Sequence, residues 1–108
     1  MVKPDIFSQI LDSLDEQFVL VDTNHIIRYM NMAARKNYAK YGDLIGKSIF
    51  DCHNSQSSEI IRNTYPKLEK GSAEEFIYKT PKNRVYMRSV FDPERRLIGY
   101  YERLEPLT

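Results

Sequence analysis

Two adjacent residues, Cys52 and His53, carry the side chains in this chain that are best suited to chemistry. An imidazole ligates transition metals through a ring nitrogen, and a thiolate is both a metal ligand and a redox nucleophile. Met87 adds a thioether, which is a soft ligand. His53 and Met87 therefore form a candidate ligand pair. The alternative is a histidine that hydrogen-bonds its own loop and a methionine that fills the core.

Cys52 has two interpretations of its own. Before a helix N-terminus its thiol pKa would fall, which would favour a reactive thiolate, whereas a buried cysteine would be inert. It is the single cysteine of the chain, so no internal disulfide forms. The other histidine, His25, falls among turn residues, and we expect it to be solvated, with no zinc-binding spacing around it.

No pattern of catalytic residues accompanies these side chains. Ser-His-Asp order, a P-loop and a glycine-rich dinucleotide turn are all missing from the sequence, whose four glycines are scattered. The clustered acids are expected to be solvated surface rather than a catalytic pair: Asp12, Asp15, Glu16, Glu74 and Glu75. We therefore name no catalytic residue and expect no enzyme.

Length and charge narrow the class of protein further. A chain of 108 residues with 42% hydrophobic residues is sufficient for one packed domain. The formal net charge of +1 lacks the basic excess of a nucleic-acid-binding protein. No apolar run is long enough to span a bilayer, and no signal peptide is recognisable. We expect a cytoplasmic protein.

Hydrophobic periodicity gives the elements that would position the candidate residues. Helical spacing predicts helices over 4–15, over a broken segment 32–41 ended by Gly42, and over 55–70, where Pro66 should kink the last turn and Gly71 should end it. Strands are predicted at 18–21, 26–30, 75–79, 84–91 and 97–104. This order indicates an α+β domain, with helices on one face of an antiparallel sheet.

The N-terminal helix and the tyrosines suggest an association surface. Ile6, Phe7, Ile10, Leu11 and Leu14 form one apolar stripe, which would cover the sheet or pair with a second copy. Eight tyrosines are present, and the adjacent Tyr100 and Tyr101 must point to opposite sheet faces. They would line a cavity, fill the sheet or form a dimer surface. We divide the chain into a flanking helix, 1–16, and a domain, 17–108.

Three segments in this order resemble the PAS domain. They are Asp22-Thr23-Asn24 with Ile27, Tyr29, Asn31, Ala33 and Ala34; the segment 44–51, LIGKSIFD; and Arg88-Ser89-Val90-Phe91-Asp92 with Leu97-Ile98-Gly99. The run Asp51-Cys52-His53 is similar to one subgroup, although Asn54 stands where that subgroup tends to have proline.

The resemblance implies a five-stranded antiparallel sheet of order 2-1-5-4-3 and a cavity between sheet and helices. It also implies a sensory module that binds a small ligand or cofactor, or dimerises, and regulates an attached or partner output domain. The expected lining residues, beside Cys52, His53 and Met87, are Tyr29, Asn31, Phe50, Ile61, Tyr65, Val85 and Ser89.

Two narrower alternatives follow from the same resemblance. His53 with Met87 resembles the axial ligands of haem-binding PAS regulators, which would make the chain a gas or redox sensor. The other alternative is a ligand-free interaction module that dimerises. Flavin fits less well, because Cys52 lacks the sequence context of covalent flavin photochemistry. No metal other than haem iron is expected.

Overall fold

A single five-stranded antiparallel sheet organises the computed structural model, which describes residues 5–107. The strands are β1 (Val19–Asp22), β2 (Ile27–Met30), β3 (Glu74–Lys79), β4 (Asn83–Phe91) and β5 (Leu97–Pro106). Their order is β2-β1-β5-β4-β3, which confirms the predicted topology. The helices are α1 (Ile6–Asp12), α2 (Met32–Asn37) and α3 (Ser55–Glu69), with single 3₁₀ turns at Ala39–Tyr41 and Ile49–Asp51.

The β1–β2 hairpin is closed by its aspartate. The Asp22 carboxylate accepts hydrogen bonds from the backbone N–H groups of Asn24 and Ile26, at 2.8 and 3.0 Å. This arrangement is an Asx turn, in which the side chain substitutes for a backbone acceptor. His25 takes a left-handed conformation inside the turn, with φ of 64°. The predicted turn is confirmed, and it directs His25 towards the helices.

Helix α3 begins and ends as its sequence predicts. The Asn54 side chain accepts a hydrogen bond from the N–H of Ser57 at 2.8 Å, and Gly71 follows the helix with φ of 109°. The helix runs unbroken through Pro66 to Glu69, so the last turn does not restart there. Pro66 lies on the exposed side, where water can satisfy the carbonyl that lacks an N–H partner.

The core lies between α3, the loop before it and one face of the sheet. Its buried apolar residues come from every strand except the edge strand β3: Val21, Ile27, Met30, Val85, Met87 and Tyr100, joined by Ala34, Leu44, Ile49, Ile61 and Leu68. Burying these side chains is the main favourable contribution to folding. The sheet therefore has an interior, helix-facing side and an outer side.

Of the two roles expected for the α1 stripe, covering the sheet is wrong, because the helix packs on the domain through its polar side, and pairing with a second copy stays a prediction. The Asp12 carboxylate accepts hydrogen bonds from the Tyr29 hydroxyl at 2.7 Å and from the N–H of Met32 at 3.0 Å, so it is not free surface. The apolar stripe faces outward instead, and its members Ile6, Phe7, Ile10 and Leu14 are 60%, 73%, 52% and 45% exposed. The predicted span 4–15 shortens to Ile6–Asp12, and Pro4 lies outside the described residues.

The outer face of the sheet carries a charged cluster. The Glu74 carboxylate accepts hydrogen bonds from Arg103 Nε and Nη2, both at 2.8 Å, and from Arg88 Nη1 at 3.1 Å. Glu74 on β3, Arg88 on β4 and Arg103 on β5 therefore tie three strands together. The expectation that Glu74 is simply solvated is wrong. No helix within residues 5–107 combines the length and apolarity needed to cross a bilayer.

Candidate ligand cavity

A cavity of about 260 Å³ lies between the helix-facing side of the sheet and the segments before α3. Its apolar lining comes from the core: Val19, Val21, Ile27, Met30, Leu44, Ile49, Ile61 and Tyr100. Its polar lining comes from the α1–β1 linker, the C-terminal end of α2, the segment before α3, the first turn of α3, and β5. These residues are Gln17, Tyr38, Cys52, His53, Asn54, Ser57, Tyr101 and Glu102. Such a surface suits a ligand with an apolar body and a polar group.

His53 is positioned in this cavity by the turn that precedes it. Its Nδ1 atom lies 3.0 Å from the Ile49 carbonyl oxygen, so Nδ1 carries a proton and donates it. The Nε2 atom lies 3.8 Å from Glu102 Oε1. Interaction with the Glu102 carboxylate raises the pKa of His53 above its ordinary value, burial opposes the change, and the bond to Ile49 adds to it. His53 therefore gains a proton more readily than a free histidine.

Glu102 lies on the central strand β5, beside three tyrosines. Burial raises the pKa values of Tyr38, Tyr78 and Tyr100, and the pKa of Tyr78 reaches about 12. The negative charge of Glu102 contributes in the same direction at all three phenols. The tyrosines are therefore neutral hydroxyl groups at physiological pH, and Glu102 is the negative group of the cavity.

The Tyr38 hydroxyl belongs to a short polar chain beside the cavity. It accepts a hydrogen bond from Gln17 Nε2 at 3.4 Å, and the Gln17 amide oxygen accepts one from Asn37 Nδ2 at 2.8 Å. Gln17 precedes β1, while Tyr38 caps the end of α2. This chain holds the α2 side of the cavity against the start of the sheet.

Cys52 lines the cavity, but it is exposed, so the prediction of a buried thiol is wrong. Partial desolvation of the sulfur and the neighbouring Asp51 carboxylate raise the pKa of Cys52. The Sγ atom lies 3.7 Å from the Ser48 carbonyl oxygen. A raised thiol pKa opposes the reactive thiolate that its place before α3 had suggested.

Of the seven further residues predicted to line the cavity, Ile61 does so and six do not. Tyr29 points to the outer side of the sheet, where its hydroxyl donates to the Ser8 carbonyl and to Asp12. Asn31 is fully buried and is occupied in hydrogen bonds to backbone groups. The Ser89 hydroxyl donates to the carbonyl oxygens of Ser72 and Ala73.

The remaining three predicted residues fill the core around the cavity. Val85 is 2% exposed and packs among the core side chains. Phe50 and Tyr65 pack against the ring of His25, with centroid distances of 4.9 and 4.6 Å. These three support the walls of the cavity without contributing to its surface.

His25 itself overturns the expectation of a solvated turn residue. Its Nδ1 atom lies 2.9 Å from the Tyr100 hydroxyl, and its ring packs on three aromatic rings. Burial lowers the pKa of His25, which keeps the imidazole neutral. A cluster of His25, Phe50, Tyr65 and Tyr100 thus closes one side of the core.

Haem does not fit this arrangement. Met87 is 0% exposed and does not line the cavity, because β4 places it deep in the core. Both ring nitrogens of His53 face oxygen atoms, and its raised pKa opposes the neutral imidazole that binds iron. Haem is larger than the drug-sized ligands whose pockets measure roughly 300–1,000 Å³, and this cavity is smaller than that range.

The sequence analysis did not single out four polar residues that line the cavity: Gln17, Asn54, Ser57 and Glu102. Strand alternation contained a signal for Glu102, because residues 100 and 102 share a face once Tyr100 points to the core. The other three lie in a linker, a helix cap and the first turn of α3, where the pattern of apolar residues does not indicate a cavity. Within residues 5–107, no group of three or more His, Cys, Asp or Glu residues is arranged to hold a metal ion.

Comparison with solved structures finds the same fold in several other proteins. A C-terminal domain from Streptococcus mutans matches with a TM-score of 0.73 at 16% identity, covering 93% of this chain and 81% of its own. A PAS domain from Colwellia psychrerythraea matches with a TM-score of 0.69 at 16% identity, and the match covers 96% of this chain and 98% of that domain. A sensory box sensor histidine kinase from Vibrio cholerae matches with a TM-score of 0.65 at 11% identity, covering 95% and 90%.

At these identities the structures show the shared fold alone, and no curated protein sequence matches the chain significantly. The family assignment comes from sequence. The family model described as "PAS domain" matches residues 7–102, which extend from α1 to the inward-facing Glu102 of β5. The chain therefore belongs to the PAS domain family.

Proposed function

We propose that this PAS domain senses a small molecule by binding it in the cavity beside His53 and Glu102. The observation that carries the proposal is the composition of the lining, which combines a core-like floor with polar groups at one end. A cavity of about 260 Å³ lies just below the range of roughly 300–1,000 Å³ that is typical of pockets for drug-sized ligands. The ligand is therefore a small metabolite rather than a large cofactor.

Strand β5 offers the route by which binding would reach an output domain. It contributes Tyr100 and Glu102 to the cavity, and it pairs with β1 on one side and with β4 on the other. A ligand that moves Glu102 therefore acts on a strand whose backbone is hydrogen-bonded to β1 and to β4. The displacement would then change the outer face and the ends of the sheet, where an attached or partner domain makes contact.

A ligand screen tests this function directly. A metabolite library would be scanned by thermal shift, and hits confirmed by amide chemical-shift changes at residues around His53 and Glu102. Ser57→Phe fills the cavity from the first turn of α3, and it should abolish binding. Gln56→Phe places the same ring on the exposed side of that turn and should leave binding unchanged. A screen without cavity-directed hits would refute ligand sensing.

Dimerisation is the second candidate function, and the exposed stripe of α1 supports it. Four apolar side chains, Ile6, Phe7, Ile10 and Leu14, lie on the side of α1 that faces away from the domain. Contiguous apolar surface of this kind is typical of association sites. We assign residues 1–16 to a flanking association segment and 17–108 to the sensing body.

Sedimentation analysis tests the association. The wild-type protein should form a dimer whose population rises with concentration, and Phe7→Asp should shift it to monomer. Gln9→Asp adds a charge to the same short helix outside the apolar stripe, and it should leave the dimer intact. A protein that stays monomeric at high concentration would contradict this function.

A further inference from the structure

The charges around the cavity are unbalanced. Among the described residues that line it there is no lysine and no arginine, and Glu102 is the one carboxylate. The Cys52 thiol and the hydroxyls of Tyr38 and Tyr100 are neutral, because their pKa values are raised. His53 is then the one lining group that can carry a positive charge. A partly desolvated carboxylate with a single, titratable partner favours a cation beside it.

The other lining residues are consistent with a cation that has an apolar body. Tyr38 and Tyr100 bring aromatic rings, whose faces attract ammonium groups. Asn54 and Ser57 bring further oxygen acceptors, and the floor is aliphatic. An anionic ligand would instead meet the Glu102 carboxylate, with no fixed positive charge to offset the repulsion.

We propose that the cavity selects a small monoamine, with its ammonium group paired to Glu102 and its apolar body on the floor formed by Val21, Ile27 and Ile61. This inference rests on the proposed function, because it names the ligand class of the same cavity. The volume of about 260 Å³ limits the amine to one smaller than a drug-sized ligand.

The amine and the His53 proton compete for the same carboxylate. When His53 is protonated it neutralises Glu102 across 3.8 Å, and the incoming ammonium gains less. Glu102 is also near the hydroxyls of Tyr38, Tyr78 and Tyr100, none of which titrates near neutral pH because their pKa values are raised. Amine affinity should therefore rise as the pH increases through the pKa of His53, which is raised above its ordinary value, because His53 then loses its proton.

Three probes with one shared ring separate charge from shape. They are 2-phenylethylamine, 2-phenylethanol and phenylacetate, measured by calorimetry and by amide chemical shifts on the wild-type protein. The amine should bind roughly tenfold or more tightly than either of the others, as expected for a charge-assisted contact. Glu102→Gln should remove this advantage. Glu105→Gln removes an acid three residues further along β5, which pairs with Arg84, and it should retain the advantage.

A second variant tests the competition without removing the carboxylate. His53→Gln should flatten the pH dependence of amine affinity while preserving the preference for the amine. Amide spectra of each variant establish that the fold is intact, so that lost affinity is not mistaken for unfolding.

The outcomes separate this inference from the proposed function. If the alcohol or the acid binds in the cavity as tightly as the amine, or if Glu102→Gln keeps the preference, the amine assignment is overturned and ligand sensing still stands. If none of the three probes binds, the amine assignment is also overturned. Ligand sensing itself fails only when the metabolite library and the Ser57→Phe comparison give no cavity-directed binding.

Discussion

His53 Nε2 lies 3.8 Å from Glu102 Oε1, and this pair joins the loop before α3 to the central strand of the sheet. The side chains are 20% and 27% exposed, so the attraction is only partly screened by water. The contact spans the polar end of the cavity. It links His53, which titrates near neutral pH, to β5, the strand that contributes Tyr100 and Glu102 to the cavity. Both ligand binding and stability should therefore depend on the protonation of His53.

The stability contributed by this pair should be present at acidic pH and lost at alkaline pH. The pKa of His53 is raised in the folded state above the ordinary 6.5, so the folded protein holds the proton more tightly than the unfolded chain. This contribution to stability is fully present below pH 6.5. It is lost as the pH rises through the pKa that His53 has in the folded protein. Relative to wild type, Glu102→Gln should lose up to about 1 kcal/mol of unfolding free energy near pH 5.5 and much less near pH 8.5.

Urea unfolding at these two pH values measures this difference. Glu105→Gln is the matched control, because its partners are arginines, which stay charged throughout the range. A loss in Glu102→Gln that is equal at both pH values would contradict a role for His53 protonation.

Asn31 should be a major determinant of stability. Its side-chain oxygen accepts hydrogen bonds from the N–H groups of Phe18 and Ala34, at 2.8 and 3.0 Å. Its amide nitrogen donates to the carbonyl oxygens of Leu11 and Glu16, at 2.8 and 2.9 Å. Asn31→Ala leaves four buried or partly buried backbone groups without this partner, and should cost about 2–4 kcal/mol and a Tm decrease on the order of 10 °C.

Two comparisons make the Asn31 prediction specific. Asn31→Asp keeps the acceptor but turns a carboxylate towards the carbonyl oxygens of Leu11 and Glu16, so it should also destabilise the protein. Asn37→Ala removes an exposed amide from α2 and should shift Tm by only a degree or two. Thermal unfolding followed by circular dichroism would contradict this role if Asn31→Ala and Asn37→Ala behaved alike.

The sheet order could be predicted because it follows from local patterns and a family resemblance, whereas the cavity could not. Turn residues such as Asn24 and Gly71, and the Asn54 cap, act on their immediate neighbours, so the sequence indicates them directly. The surface of a cavity depends on side-chain directions in segments far apart in the chain. Val85 and Met87 were assigned to the correct sheet face, yet the packing of α3 buries them away from the open space.

The two misassigned polar residues show the same limit. His25 sits in a turn that would ordinarily be solvated, and only the tertiary approach of Tyr65 and Tyr100 encloses it. Asp12 lies on the polar side of α1, and a polar helix side would ordinarily face solvent. Its hydrogen bonds to Tyr29 and Met32 hold the polar side of α1 against the domain.

Added haem should remain unligated by this protein. Met87 is enclosed in the core, and His53 Nε2 faces the Glu102 carboxylate, so neither atom is available to iron. Absorption spectra of a haem–protein mixture, oxidised and reduced, should match those of free haem. His53→Ala and Met87→Ala should leave them unchanged. A sharp low-spin Soret band that either substitution alters would contradict the geometry described above.

The Glu74 cluster should stabilise the sheet at neutral pH and fail in acid. Hydrogen bonds from Arg103 lower the pKa of Glu74 to about 2, burial opposes the change, and Arg88 adds to it. A carboxyl group whose pKa is lower in the folded state contributes stability above its ordinary value of 4.5, and that stability is lost as pH falls towards 2. Glu74→Gln should therefore lower the free energy of unfolding by about 1 kcal/mol at pH 7. The loss is small because both arginine side chains are partly exposed, so water screens the ion pairs.

The same variant should unfold like wild type once Glu74 is protonated. Comparing the urea midpoints of wild type and Glu74→Gln from neutral to acidic pH would show two curves that converge. Glu94→Gln is the control, because Glu94 pairs with Arg96 in an exposed turn and not within the sheet, so its substitution should have little effect at any pH. A constant gap between wild type and Glu74→Gln would mean that the amide disturbs packing, and that the arginine pairing of Glu74 contributes nothing to stability.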